Sequence, residues 1–589
     1  MKNLNLHTLT LEEFRVAPRA ALTPLAADIR RFMIDSVSET GGHIGANLGT
    51  VELSIALHYA FSSPDDIFIF DTGHSGYTHK ILTGRLNRFK TLNTYGGMSR
   101  FISRDESKHD FVEASHAGTS ISLALGRALS LRNQGLPHWT VAFIGDGALA
   151  EGIALEALNH ASVEKNVRLL IVLNDNGYAI SPGFGAIHNH LQTRHLDTLD
   201  ADPLFTSMGY KAIGLLDGHD IDSLLDAIEE VKASTQVCVL HAKTEKGRGL
   251  PPAASHPFKM HFSFPFNVET GAIKVPPPIP SYQDIAALAI GDCMEADPNI
   301  TAITPSTLYA TGLTGVFARF PERCFDPGME EQHAVSMAVG MALSGTRPVL
   351  FYQSTFLQRA FDQLIHDVCF ANQDILILAV RSGFAGYDNP THHGIYDLSY
   401  LRCLPNLRIY YPRNSKELYE MTILGLTTQK GPILILMPYG TAEAPDFPRN
   451  QANLAMDYPE LLRSGKDGIV LAVGNKVAAC ERALVLLAEQ GLNYGLINLR
   501  QLKPLPESSL LELIDAASHV VTVEEGVLEG GVGAAVSAFM HQHRLNADLT
   551  QIGLPCAFIE AGSNEELCAK YGLDPAGIAR QIAAGRQQS

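Results

Sequence analysis

The sequence predicts an α/β protein, three doubly wound α/β domains in series. Three observations carry the prediction. Short apolar, β-rich runs alternate with helix-length segments along most of the 589 residues. One stretch, 139–182, reads as a complete βαβ unit. Two interruptions, VPPPIPSY at 275–282 and a polar stretch at 445–464, part the chain into 1–275, 283–445 and 465–589.

In the first segment, residues 22–82 read as helical apart from a short strand at 67–70, which ends in the turn DTGHSGYTHK. A helix of small residues starts near Ser120, and its first N–H groups offer a place for an anion. The central βαβ unit follows. Residues 140–144 form a strand that stops at Gly145, Asp146 and Gly147, a helix runs to about Ala161, and a strand at 169–173 stops at Asn174, Asp175 and Asn176. A right-handed crossover makes these strands parallel, so both turns leave the carboxyl edge of one sheet, where open α/β sheets bind ligands. Residues 148–173, twenty-six in all, separate the turns. Asp146 and Asn176 can therefore converge on one hard cation, with backbone carbonyls and a ligand's diphosphate completing an octahedron.

The second segment restarts with a helix and five strand-like runs: ITAIT, RPVLFYQ, ILILAVR, LRIYYP and PILILMP. Helices are expected at 331–343 and 356–369, the first opening on Glu331. The third segment has strands GIVLAVG, YGLINL and HVVTVEE; its Gly531-Val532-Gly533 resembles a nucleotide loop only weakly and reads better as a place of tight packing.

Composition excludes several functions. The net charge of −17, with no basic block, argues against nucleic acid or an anionic membrane as partner. No run approaches the ~20 apolar residues of a membrane span, and the first residues lack a signal-peptide layout, so a cytoplasmic location is expected. Eight scattered cysteines without a CxxC pair read as reduced, packed thiols.

GDG paired with NDN, followed by MEEQHAV, STFLQRAFDQLIHDV, PTHHGIYDLSYLRCLPNL, VTVEEGVLEGGVGAAV and GLPCAFIEAGSNEEL, resembles the 1-deoxy-D-xylulose-5-phosphate synthase family of transketolase-like enzymes, in order from about residue 25 to 582. The resemblance implies thiamine diphosphate and Mg2+ as cofactors. It implies a homodimeric transferase of isoprenoid biosynthesis that joins two carbons of pyruvate, with loss of CO2, to the aldehyde D-glyceraldehyde 3-phosphate. It implies Asp146, Asn176 and the Tyr178 carbonyl as metal ligands, Gly145 and Gly147 beside the diphosphate, Glu331 as the carboxyl that activates the pyrimidine, and Phe356 stacked on that ring. His43, His74 and His392 fall on catalytic positions and His116 on a cofactor segment. Arg381, Asp388 and His261 fall on the substrate side, with Arg381 toward the acceptor phosphate. A site between the first and second segments follows from this set. His79, His160, His188 and His190 are read as surface or core histidines.

The resemblance has gaps. Where the family has a run like VRYPRG, residues 435–440 read ILMPYG, so Leu436 and Tyr439 replace arginines. Gln353 replaces a tyrosine, GYDN replaces GADG around Asp388, and the loop after Asn176 is ~30 residues shorter, removing a candidate lid. Two alternatives follow: the same chemistry with another, even unphosphorylated, aldehyde acceptor, or a 2-oxo acid dehydrogenase component that passes acyl groups to a lipoyl carrier. A catalytically dead homologue is the third; the intact Asp146, Asn176 and Glu331 speak against it.

Overall fold

Side-chain alternation along short apolar strands builds each sheet of the computed structural model, which describes residues 4–196, 201–276, 279–387, 389–428, 430–443, 446–449 and 452–587. The first sheet has five parallel strands, β1 (Ile67–Phe70), β2 (Thr140–Gly145), β3 (Leu169–Asp175), β4 (Lys211–Asp217) and β5 (Cys238–Lys243), in the order β1-β2-β3-β5-β4. On β3, Leu169, Ile171 and Leu173 enter one core while Leu170 and Val172 enter the other. Both faces are covered, which is why β3 reads as an unbroken apolar run.

The second sheet contains β6 (Ile300–Ile303), β7 (Cys324–Phe325), β8 (Arg347–Gln353), β9 (Leu376–Ser382), β10 (Arg408–Tyr410) and β11 (Ile433–Pro438). The third contains β12 (Glu460–Arg463), β13 (Gly468–Ala472), β14 (Tyr494–Asn498), β16 (His519–Val527) and β17 (Asp548–Leu554). Between these, β15 (Gln501–Lys503) leaves the third sheet and pairs antiparallel with β10, so the second sheet runs β15-β10-β11-β9-β8-β6-β7 and the third β12-β14-β13-β16-β17. One antiparallel edge strand on each of these sheets, β15 and β12, is a departure from pure parallel winding. Both are short pairings set by distant chain, which periodicity does not reveal.

The chain falls into two compact units, Met1–Pro277 with Gly328–Glu330, and Pro278–Pro327 with Glu331–Ser589. The polar stretch after residue 445, expected as a linker, is partly packed: Met456 is buried against the second sheet, and Tyr410 Oη donates to Asp457 Oδ1 at 2.5 Å. The helix expected over 356–369 is instead wound in four short pieces, with a 3₁₀ turn at Gln358–Ala360 and a π-type stretch at Leu364–Phe370. Such departures from regular winding often accompany functional sites. Among the described residues no helix is long and apolar enough to cross a membrane.

Candidate active site

In the first unit Gly145 of β2 pairs with Asn174 of β3, so the GDG and NDN turns leave the same sheet edge side by side. The turns also touch further on. A Cβ on Gly147 would lie 2.6 Å from Ala179 Cβ, so only glycine allows that approach. Asp146 is buried and its Oδ2 accepts from the Gly177 N–H at 2.9 Å. Its Oδ1 is buried with no hydrogen-bond partner among the described residues. Burial, then the charge of Asp175, raises the Asp146 carboxyl to about 7. A buried carboxylate oxygen left short of a partner, on the turn next to the one that carries Asn176 and Tyr178, where Asn176 Oδ1 accepts from the Tyr178 N–H at 3.1 Å, fits the oxygen chemistry of a divalent cation. Asp175, between them in sequence, is spent elsewhere: its carboxylate is engaged by His241 Nε2 at 3.1 Å and Gln192 Nε2 at 3.2 Å.

Three of the selected histidines come together. The rings of His43 and His74 stack with centroids 4.0 Å apart, and His261 meets them edge-on at 5.5 and 4.6 Å. The local sequence explains the approach. Asn47 Nδ2 donates to the His43 carbonyl at 2.7 Å, and Asn47 Oδ1 accepts from the Tyr77 N–H at 2.7 Å, tying the two histidine turns together. Gly45 lets the segment carrying His261 pack close: a Cβ there would lie 2.0 Å from the Lys259 carbonyl oxygen. His116 is exposed, on the segment whose Ala114 packs against Gly73 of the His74 turn.

Lys246 was missed in the sequence. Its buried ammonium donates to the Ala179 carbonyl at 2.6 Å and lies 3.2 Å from His261 Nδ1. Burial lowers it to about 7 against the pull of Asp146. Burial, then Lys246 and His74, hold His261 well below the usual imidazole value, so it is neutral at physiological pH. The available signal was its place in KTEKGRG, just past β5 at the same carboxyl edge.

In the second unit Glu331 begins the helix Glu331–Leu343 and is buried, with Oε2 3.7 Å from Arg359 Nε and its carbonyl accepting from Tyr352 Oη at 3.0 Å. Phe356 follows the end of β8, and its ring meets His392 edge-on at 5.8 Å. Arg381 lies at the carboxyl end of β9; Asp388 lies outside the described residues. Gln353 is buried at the end of β8.

Two expectations are corrected here. Leu436 cannot stand where an arginine meets a phosphate: it is fully buried in mid-strand, in the same core as Leu350, Tyr352, Ile377 and Leu434. The position that faces Arg381 is Tyr439, just past the end of β11. At the start of the Ser120 helix the first N–H is already taken: Asp71 accepts from Ser120 at 3.1 Å and from Gly118, just before the helix, at 2.7 Å. Likewise the loop Gly531-Val532-Gly533 is filled by the chain's own Glu524, which accepts from Val532 and Gly533 at 2.9 and 2.7 Å, as the tight-packing reading requires. His79 and His190 bond to Asp110 and Asp202, as structural histidines do.

Mostly parallel sheets, one with a buried oxygen-donor cradle at its carboxyl edge, define a ligand-binding α/β protein, and profile matches make it one of the transketolase class. Family profiles agree along its length: one described as 1-deoxy-D-xylulose-5-phosphate synthase matches residues 7–200 and 193–244, one described as transketolase, pyrimidine binding domain, matches 280–443, and one described as transketolase, C-terminal domain, matches 457–578. A protein named 1-deoxy-D-xylulose-5-phosphate synthase from Geobacillus thermodenitrificans is 38% identical over 95% of this chain and 95% of its own length. One of that name from Thioalkalivibrio sulfidiphilus is 39% identical over 97% and 94%. A solved structure titled split gene transketolase, inactive beta4 tetramer, overlaps 52% of this chain and 98% of its own with TM-score 0.46 and 24% identity. The chain belongs to the 1-deoxy-D-xylulose-5-phosphate synthase family, and it is accordingly a thiamine-diphosphate-dependent transferase.

Proposed function

We propose that this chain condenses pyruvate with D-glyceraldehyde 3-phosphate to 1-deoxy-D-xylulose 5-phosphate, the product in the relatives' shared name, and CO2. The single observation that carries the site is the buried Asp146 Oδ1 beside Asn176 on paired strand ends. Asp146, Asn176 and the Tyr178 carbonyl would hold Mg2+, with Gly145, Gly147 and His116 around the diphosphate; the charge of Lys246 would offset that of the phosphates. Residues 1–275 then form the diphosphate-binding domain, 283–445 the pyrimidine-binding domain and 465–589 the C-terminal domain.

When bound, thiamine diphosphate supplies the nucleophilic carbon and the electron sink for decarboxylation. The protein positions and moves protons around it. Glu331 would hydrogen-bond the pyrimidine and Phe356 stack on it, a contact suited to a flat heteroaromatic. His43, His74, His261 and His392 would donate to the reacting carbonyl oxygens; His261, held neutral with its Nδ1 3.2 Å from the Lys246 ammonium, would present Nε2 as the donor. Arg381 would take the acceptor's phosphate, with Asp388 beside the substrate. Of the departures behind the alternative acceptor, Leu436 loses its weight through burial, while Tyr439 stands at the strand end facing Arg381. Eight unpaired cysteines, six of them buried, fit a reducing cytoplasm, and a homodimer is the expected assembly.

The test is product mass: purified enzyme with thiamine diphosphate, Mg2+, pyruvate and D-glyceraldehyde 3-phosphate should yield 1-deoxy-D-xylulose 5-phosphate and CO2. Decarboxylation without this product would overturn the reading.

A further inference from the structure

β9 does not run regularly to its end. Val380 pairs with Met437 of β11 and Ser382 with Pro438, so Arg381 is the extra residue of a bulge. Its φ is +68°, the left-handed region that disfavours any residue with a Cβ. Strain of this kind on a non-glycine residue points to a use for that side chain, and bulges at sheet ends re-aim side chains. Here the Arg381 guanidinium lies 4.9 Å from the centroid of the Tyr439 ring, at the end of the neighbouring strand. Tyr387 stacks on Tyr439, centroids 5.4 Å apart and planes 20° apart, and its ring lies 5.9 Å from the same guanidinium.

All three groups come from two adjacent strand ends and the loop after β9, at the carboxyl edge of the second sheet. A ring against a guanidinium fixes its plane while the N–H donors point along that plane, which is what bidentate binding of an oxyanion needs. The neighbouring candidate, Leu436, faces the core and offers no donor.

We propose that Tyr439, buttressed by Tyr387, is a positioning residue for acceptor selectivity: its ring holds the bulged Arg381 guanidinium in the plane that receives the phosphate of the acceptor aldehyde. The inference rests on the proposed phosphorylated acceptor and adds how this chain recognises it with one arginine. It assigns the work to the ring and not to the phenol hydroxyl.

Steady-state kinetics of the holoenzyme at saturating pyruvate test it, with D-glyceraldehyde 3-phosphate and unphosphorylated D-glyceraldehyde as acceptors. Tyr439→Leu should raise KM for the phosphorylated acceptor about five- to tenfold, with kcat and the pyruvate KM unchanged and the unphosphorylated acceptor unaffected. Tyr439→Phe should stay within about twofold of the parent. An equal change for both acceptors, or a loss in Tyr439→Phe as large as in Tyr439→Leu, overturns the proposal. Inorganic phosphate titrated into the holoenzymes separates this from the functional reading. If the parent forms no product yet binds phosphate about fivefold more tightly than Tyr439→Leu, the clamp stands and the acceptor assignment falls. Equal phosphate affinity in the two overturns the clamp.

Discussion

Replacing Leu436 separates its two readings. As a position that lost an arginine, it should accept one and gain phosphate affinity; as a core residue, it should not accept it at all. Leu436 pairs with Ala379 of β9, has no exposed surface and shares its core with Leu350, Tyr352, Ile377 and Leu434. Truncation to alanine removes buried methyl groups from a rigid sheet and should cost about 3 kcal/mol. For a cooperative unit of this size that lowers the melting temperature by roughly 5 to 10 °C. Leu436→Arg is worse, because it buries a guanidinium among Leu350, Tyr352, Ile377 and Leu434, and removing such a charge from water costs several kcal/mol. The assay is thermal melting followed by scanning calorimetry, with acceptor kinetics on whatever folds. A Leu436→Arg protein that melts with the parent and binds D-glyceraldehyde 3-phosphate more tightly would refute the placement of this residue.

Other outcomes follow from the same structure. Burial raises Glu524 to about 7 despite its two backbone hydrogen bonds, and the gap from the ordinary value of 4.5 corresponds to about 3 kcal/mol. Because the folded state favours the protonated form, that contribution is complete below about pH 4.5 and is lost as pH rises through about 7; melting temperatures of the parent should therefore fall from pH 5 to 8 relative to Glu524→Gln, and parallel profiles would exclude Glu524 as the source. Glu331→Gln should lower the rate of pyruvate decarboxylation by about 10²- to 10⁴-fold at unchanged melting temperature, read as CO2 release. Gly147→Ala forces a methyl against Ala179 and should weaken thiamine diphosphate binding about ten- to a hundredfold, measured by calorimetry; unaltered affinity would mean the two turns can separate without cost.

The strands and the site turns were legible where the signal is local. Apolar runs bounded by polar turns located β2 and β3, and the crossover rule placed GDG beside NDN, as the Gly145–Asn174 pairing does. Glu331 at a helix start was equally plain. What the sequence hid depends on distant partners. The short edge strands β12 and β15 exist only through β14 and β10. Lys246 becomes a site residue through burial next to His261 and attraction to Asp146, neither visible in a KGRG loop. The anion place suggested at Ser120 is a real preference of backbone N–H groups, but Asp71 takes the Ser120 N–H from another element, as Glu524 takes those of Val532 and Gly533. Leu436 was misread because aligning a motif does not tell which face of β11 a residue takes; the alternation of Leu434 and Leu436 into one core does.

The claim on which the rest depends is that Asp146 and Asn176 hold the cation that anchors a diphosphate. Isothermal titration of thiamine diphosphate into the parent and into Asp146→Ala, each with and without Mg2+, measures it directly. The parent should bind tightly only with Mg2+, and Asp146→Ala should bind weakly with or without it. Equal, Mg2+-dependent affinity in the two proteins would contradict the assignment.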